Sequence, residues 1–333
     1  MPTPATLTHA TRRKAVVADL LLFSVAVFWG SNFVFIKSVV ERTTAIAGGS
    51  IVAGTMLYLL LRYVVATGIF AAVQPSSWLN SSRRDWGMGS LLGAFYLTAL
   101  VLQTIGLQRT SPGVSGFITG LSVAMVPFLY WAVARRSPGR WQIVGAIVAF
   151  IGLGLLSLRG NLTLSWGDSI TLLGTLFYAL HIMTTGFFAP KVRPTTLAMT
   201  QMAFSTLALA VVTPFVVHIT LDLPWQVWAA ILWTALSGTI YAFFIQSWAQ
   251  RYTTSTHAAI LLGFEAVFAA LAGIIAGMDS VTLRLVVGGS LMLTGVLIVE
   301  LLPTSKGVVA EIAAEEGPAA GGGPASSGGP ATP

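Results

Sequence analysis

The sequence predicts an all-α integral membrane protein of ten transmembrane helices, arranged as two inverted five-helix repeats. Three observations predict it: a composition too apolar for water, a series of apolar runs of spanning length, and a self-similarity between the two halves at a nearly constant offset. Hydrophobic residues make up 55% of the 333 and charged residues 9%. A soluble domain carries roughly a quarter of its residues charged, so this chain has too few charges to coat a water-facing surface.

A span needs about 20 mostly apolar residues, because in hydrocarbon every backbone N–H and C=O must be satisfied within its own helix. The qualifying segments run approximately Asp19 to Val40, Ile46 to Phe70, Trp86 to Leu107, Gly113 to Ala134, Trp141 to Leu158, Trp166 to Phe188, Thr195 to Ile219, Trp225 to Ala249, Thr254 to Gly277 and Leu283 to Leu302. Arg12, Arg13 and Lys14 precede the first run. That run is longer than a signal-peptide core and has no clear small-residue cleavage site, which makes it an uncleaved first span. The connections are short and leave no room for a soluble domain between spans. The chain therefore divides into a cytoplasmic segment over 1–17, a first five-helix repeat over 18–158, a second over 159–302, and a tail over 303–333. The tail is rich in Gly, Pro, Ala and Ser; it cannot bury enough apolar area to offset its ordering entropy and is expected to be disordered.

Placing the N-terminus in the cytoplasm puts Arg12, Arg13, Lys14, Arg83, Arg84, Arg135, Arg136, Arg140, Lys191, Arg193, Arg251 and Lys306 on the cytoplasmic side, against Lys37, Arg42, Arg109, Arg159 and Arg284 outside. This excess orients the protein in an inner (plasma) membrane with both termini cytoplasmic. Arg62 is assumed to snorkel from the second span to the cytoplasmic headgroups. The formal charge of +7 is spread in short clusters at span ends and forms no basic stripe, which argues against nucleic acid as a partner. With no cysteine, disulfides and thiolate chemistry are excluded.

The halves are related at the residue level. An offset of 143 lays Gly106-Leu107-Gln108-Arg109-Thr110-Ser111 on Ala249-Gln250-Arg251-Tyr252-Thr253-Thr254, Gln103 on Gln246, Gly120 on Gly263, Gly145 on Gly288 and Gly152 on Gly295. An offset of 149 lays Asp19 on Asp168 and Phe28-Trp29 on Phe177-Tyr178, with Asn32 opposite His181. An odd number of spans per half forces the second half to cross the membrane in the opposite sense. In transporters such repeats meet around a site near the midplane, exposed alternately to each side.

At these residues the chain resembles the drug/metabolite transporter superfamily in its ten-helix EamA-type branch, over Asp19 to Leu302. Trp29-Gly30-Ser31-Asn32-Phe33 is similar to the first-helix pattern, Gly106 to Val123 to the junction of the third and fourth helices, and Tyr252 to Ala270 to its counterpart in the second half. The chain departs from the pattern at Val52, where an Arg is frequent, at Ala266, usually Pro, and at Arg136, usually acidic. The resemblance implies a proton- or gradient-driven carrier, commonly an exporter of amino acids or other small metabolites.

Glu265 falls near the centre of the ninth span, where an unpaired acidic side chain costs about 2.5 to 3.5 kcal/mol. It is the proton-coupling candidate; the plainer alternative is a hydrogen-bonded Glu that locks neighbouring helices. Trp29, Asn32, Tyr96, Gln103, Tyr178, His181, Tyr241 and Gln246 supply aromatic faces, amides and an imidazole to the first, third, sixth and eighth spans. That mixture orients a small polar molecule in a mostly apolar pocket. Trp29 with Asn32, and Tyr178 with His181, are three apart and share a helix face. Lys37 and Asp19 are read as snorkelling or capping groups and His257 as structural. Gly113, Gly116 and Gly120 form a close-packing face, while Pro127 and Pro214 are expected to kink the fourth and seventh spans.

No His-x-x-x-His spacing supports a metal, and no nucleophile, base or metal set supports an enzyme. No cofactor is implied. The expected partners are a small-molecule substrate, an amino acid or related metabolite, and membrane lipids, with the protein a monomer or weak homo-oligomer. A nucleotide derivative, vitamin or drug is the alternative cargo, although no cluster of Lys and Arg is available for phosphate. A scaffold or receptor role is the alternative outside transport.

Overall fold

The computed structural model describes residues 4–135, 138–157, 164–253 and 255–301. The expected tail over 303–333 and the cationic positions Arg136, Arg159 and Lys306 lie outside the described residues. Among the described residues the chain is all-helical, with no strand. Counting an interrupted helix once, the long helices are the first, Pro4–Ile46; the second, Ile51–Val73; the third, Arg83–Leu107; the fourth, in two pieces, Pro112–Gly120 and Ser122–Ala134; and the fifth, Arg140–Ser157. The second set is the sixth, Trp166–Phe188; the seventh, Pro194–Val212; the eighth, in three pieces, Trp225–Ala235, Leu236–Tyr241 and Ala242–Ala249; the ninth, in two, Ser255–Gly263 and Glu265–Ile275; and the tenth, Leu283–Leu301.

Local chemistry sets the starts and stops. Ser50, Ser82, Ser111 and Ser165 each accept a hydrogen bond from a backbone N–H in the first turn of the helix they open, and Asp85 closes a capping box on Ser82. These bonds satisfy donors that a helix start leaves orphaned. The first helix is longer than the apolar run because no Pro or Gly stops it before Gly48 and Gly49, whose φ values of 72° and 87° suit glycine. The seventh ends at Val212, short of the expected Ile219. Pro214 sits in a 3₁₀ turn over Thr213–Phe215, so it terminates this helix where a kink was expected. Pro127 lies inside the second piece of the fourth helix, whose interruption falls earlier, at Leu121.

Eight of these helices are long and apolar enough to cross a membrane. The fifth and tenth have shorter apolar segments, Arg140–Leu156 and Leu283–Val299, about 25 Å at 1.5 Å per residue, a little below the usual ~30 Å hydrocarbon thickness. Large apolar side chains such as Phe215, Ile275 and Leu283 point outward, 80–88% exposed. Lipid, not water, is the medium that tolerates such a surface.

The two halves pack as a two-fold pair. The 143-residue offset exchanges Gly145 with Gly288 and Gly152 with Gly295, and the contacts cross over accordingly. A Cβ on Gly145 would lie 2.5 Å from the carbonyl oxygen of Gly295, and one on Gly152 would lie 2.7 Å from that of Gly288. The fifth and tenth helices are therefore antiparallel and back to back. In the same way a Cβ on Gly120 would meet the Ala266 methyl at 3.6 Å, and one on Gly263 would meet Val123 at 2.9 Å. The fourth and ninth helices are thus related by the same axis. Both are interrupted at the same repeat position: Leu121 (φ −62°, ψ −16°) and Phe264 (φ −61°, ψ −12°) stand 143 residues apart. Gly113 and Gly116 lie against Ala270 and Ala269, so small residues let the backbones of the two halves approach closely.

Candidate functional site

A narrow cavity of about 40 Å³ lies where the halves meet, room for only a few water molecules. Its walls come from both halves. The first contributes Trp29 and Asn32 from the first helix, Arg62 from the second, Tyr96 and Gln103 from the third, and Thr119 and Ser122 from the fourth. The second contributes Tyr178 and His181 from the sixth helix and Gly263 and Glu265 from the ninth. Ser122 and Glu265 each begin the second piece of their interrupted helix, and the 143-residue offset places one on the other. The repeat therefore brings a hydroxyl and a carboxyl to equivalent points of the cavity wall.

Hydrogen bonds hold this wall in register. Tyr178 Oη donates to Gln103 Oε1 at 2.8 Å, Gln103 Nε2 donates to Thr119 Oγ1 at 2.8 Å, and Thr119 Oγ1 donates to the carbonyl of Ser115 at 2.9 Å. This chain runs from the sixth helix through the third to the fourth. His181 Nε2 pairs with Gln201 Oε1 of the seventh helix at 3.0 Å, so the imidazole both lines the cavity and bridges helices. Tyr96 is the aromatic centre, with ring centroids 5.4 Å from Tyr178, 5.1 Å from His181, 4.5 Å from Phe243 and 6.1 Å from Trp29. The contacts with Tyr178, His181 and Phe243 are edge-on and stiffen a wall beyond simple area burial.

Glu265 is 7% exposed, and among the described residues no cation lies within ion-pair distance of it and no side chain hydrogen-bonds it. Gly30 makes room for it: a Cβ there would lie 2.5 Å from both the Glu265 carbonyl oxygen and Phe268 Cβ. The first helix thus packs directly on the backbone that carries the carboxyl.

The reading of Arg62 needs correction. It is 1% exposed and lines the cavity instead of snorkelling to headgroups. It stands mid-helix in Ile51–Val73, too far from either end to reach the headgroups, and inward-facing hydroxyls bind two of its nitrogens. Its Nε donates to Thr239 Oγ1 at 2.9 Å and its Nη1 to Tyr58 Oη at 3.3 Å, while Tyr58 donates to Thr234 Oγ1 at 3.0 Å. Thr239 lies in, and Thr234 just before, a π-helical stretch over Leu236–Tyr241, a wide turn frequent at functional sites. Trp29 Nε1 donates to the Gly238 carbonyl at 3.1 Å and Asn32 Nδ2 to Ser237 Oγ at 3.2 Å. The first and second helices therefore both grip this wide turn.

Of the residues expected at the site, Trp29, Asn32, Tyr96, Gln103, Tyr178, His181 and Glu265 are brought together at the cavity. Tyr241 and Gln246 are not among its walls. Tyr241 shares a 2.7 Å hydrogen bond with Ser24 and packs edge-on against Phe28, and Gln246 is buried elsewhere with its Nε2 unpaired. Sequence reasoning missed Arg62, Thr119 and Ser122. The repeat register carried a signal for Ser122, which it lays on Glu265, and a charge in the middle of a span is itself a signal for Arg62.

Two contacts between halves lie away from the cavity. Asp279 Oδ2 accepts from the Gly113 N–H at 2.8 Å, capping the fourth helix from the far half, and Asp19 Oδ1 lies 3.2 Å from His257 Nε2. Lys37 donates to the carbonyls of Leu107 and Thr110, so it caps the third helix. No group of three or more His, Asp or Glu that could hold a metal occurs among the described residues.

Comparison with known proteins agrees with this architecture. A family described as the EamA-like transporter family matches twice, over residues 16–158 and 165–301. An uncharacterized transporter of Archaeoglobus fulgidus is 30% identical over 290 residues, 86% of this chain and 87% of the relative. The uncharacterized transporter YyaM of Bacillus subtilis is 24% identical over 237 residues, 67% of this chain and 74% of the relative. A solved crystal structure superposes with a TM-score of 0.63 at 14% identity, covering 86% of this chain and 97% of the other, a likeness of fold alone. With a two-fold repeat matched in both halves and a relative aligned along most of its length, the chain belongs to the EamA-like transporter family and is a multi-pass membrane transporter.

Proposed function

We propose that the protein is a secondary transporter that exports small metabolites, amino acids foremost, across the inner membrane by alternating access, with Glu265 as the proton-coupling group. In this reading all ten helices cross the bilayer, the fifth and tenth included, both termini are cytoplasmic, and the repeats extend over 18–158 and 159–302. The observation that carries it is the cavity wall drawn from both halves, with a carboxyl on the interrupted ninth helix and aromatic and amide groups around it. A cavity this narrow is too small for an amino acid, so cargo enters only as the halves rock apart, which is the movement an inverted repeat permits. One proton falling through about 100 mV releases roughly 2.3 kcal/mol, enough to hold a solute gradient of about 50-fold. A single carboxyl is therefore a sufficient coupler.

The test is counterflow in proteoliposomes over the twenty amino acids, with and without an imposed pH gradient. At least one amino acid is expected to exchange, faster when the gradient is imposed; exchange by none of them contradicts the amino-acid reading.

A further inference from the structure

Arg62 is a permanently charged group in the middle of a membrane helix, and its setting distinguishes it from a packing residue. A guanidinium carries five N–H donors in a planar fork. Among the described residues two of its bonds are made, Nε to Thr239 and Nη1 to Tyr58. Its Nη2 makes none, and no carboxylate lies within ion-pair distance of it. The side chain lines the same cavity as Glu265, yet the two do not pair. The bonds to Thr239 and Tyr58 are made from the two flanks of the guanidinium and fix its plane, leaving Nη2 as the unspent donor.

Gly238 is what lets Nη2 lie where it does. A Cβ there would lie 2.8 Å from Arg62 Nη2 and 2.5 Å from Asn32 Nδ2, so both groups reach their places side by side only because residue 238 has no side chain. The Trp29 bond to the Gly238 carbonyl holds the backbone in place behind them. A buried guanidinium with no carboxylate within ion-pair distance among the described residues and a donor left over calls for an anion from outside, and a carboxylate suits it.

We propose that Arg62 is the anion anchor of the cargo site, with Asn32 beside it, and that the cargo class is therefore a small monocarboxylate. This rests on the transporter reading and narrows it. No second Lys or Arg lines the cavity and Glu265 does, so a phosphate dianion or a diphosphate is disfavoured. An amino acid meets the requirement through its carboxylate, with its side chain against Trp29, Tyr96 and Tyr178.

The experiment measures binding to the purified full-length protein, by quenching of its tryptophan fluorescence, for two panels: the twenty amino acids and unsubstituted monocarboxylates of two to nine carbons. Each acid is compared with its own amide, which keeps the shape and removes the charge. Acids are expected to bind roughly 10- to 100-fold more tightly than their amides. In Arg62→Gln that advantage disappears while amide binding is retained, and Arg62→Lys restores part of it. If the monocarboxylates bind in this Arg62-dependent way and the amino acids do not, the amino-acid reading falls and the anchor stands. Equal binding of acids and amides by the wild-type protein overturns the anchor, whether or not the variants fold, as does an equal loss of both in Arg62→Gln.

Discussion

Glu265→Gln proteoliposomes are expected to equilibrate cargo across the bilayer but no longer to accumulate it against a gradient when a pH difference is imposed. Gln keeps the size and hydrogen-bonding shape of a protonated Glu but cannot release a proton. The roughly 50-fold accumulation that one proton at about 100 mV can sustain should fall to about one. The position favours a coupling role over a locking role. Glu265 is buried and lines the cavity, and among the described residues no side chain holds its carboxyl, as the proposed proton exchange requires. A locking Glu would show a partner on a neighbouring helix, and its replacement by Gln would leave coupling unchanged. Gradient-driven accumulation equal to wild type would therefore remove Glu265 from the mechanism.

The second large effect is on stability, at the back-to-back fifth and tenth helices. Gly145 and Gly295 face each other, as do Gly152 and Gly288, and a Cβ on any of the four would lie between 2.4 and 3.0 Å from a backbone atom of the opposite helix. Side chains nearby can move aside but these backbone atoms cannot, so the helices themselves must separate. Gly145→Leu is expected to lower stability by at least about 1 to 3 kcal/mol, the usual cost of overpacking. Gly288→Leu, its symmetry mate, should produce a loss of similar size. The thermal midpoint of the detergent-solubilised protein checks this. An unchanged midpoint for both would mean that the helices do not pack as the two-fold relation requires.

The architecture was legible because it was written twice. Pairs such as Gly145 with Gly288 and Gly120 with Gly263 announced the repeat, and the structure turns those same glycines into reciprocal contacts between the halves. The cavity was legible in part, since Trp29, Asn32, Tyr178 and His181 sit on inward faces of regular helices whose rotation is set by spacing alone. Arg62 was misread because hydropathy locates a charge along a helix but does not say which way it faces. Its inward direction depends on hydroxyls of Tyr58 and Thr239, the latter 177 residues away in sequence. The π-helical stretch was invisible for a related reason: nothing local in Leu236–Tyr241 demands it, and it is gripped from outside by Trp29, Asn32 and Arg62. That wide turn also accounts for Gln246. A π turn inserts about one extra residue and rotates the remainder of the helix, so Gln246 leaves the face that its mate Gln103, on an uninterrupted helix, still occupies.

The central claim is that one cavity between the halves opens to each side of the membrane in turn. The chain contains no cysteine, so a single Ser122→Cys substitution places one thiol in the cavity wall, opposite Glu265 in the repeat. Labelling by a membrane-impermeant maleimide in right-side-out and inside-out vesicles reads the access directly. The account predicts modification from both faces, with the balance between them shifted by an imposed pH gradient. Modification from one face only, under every gradient imposed, would contradict it.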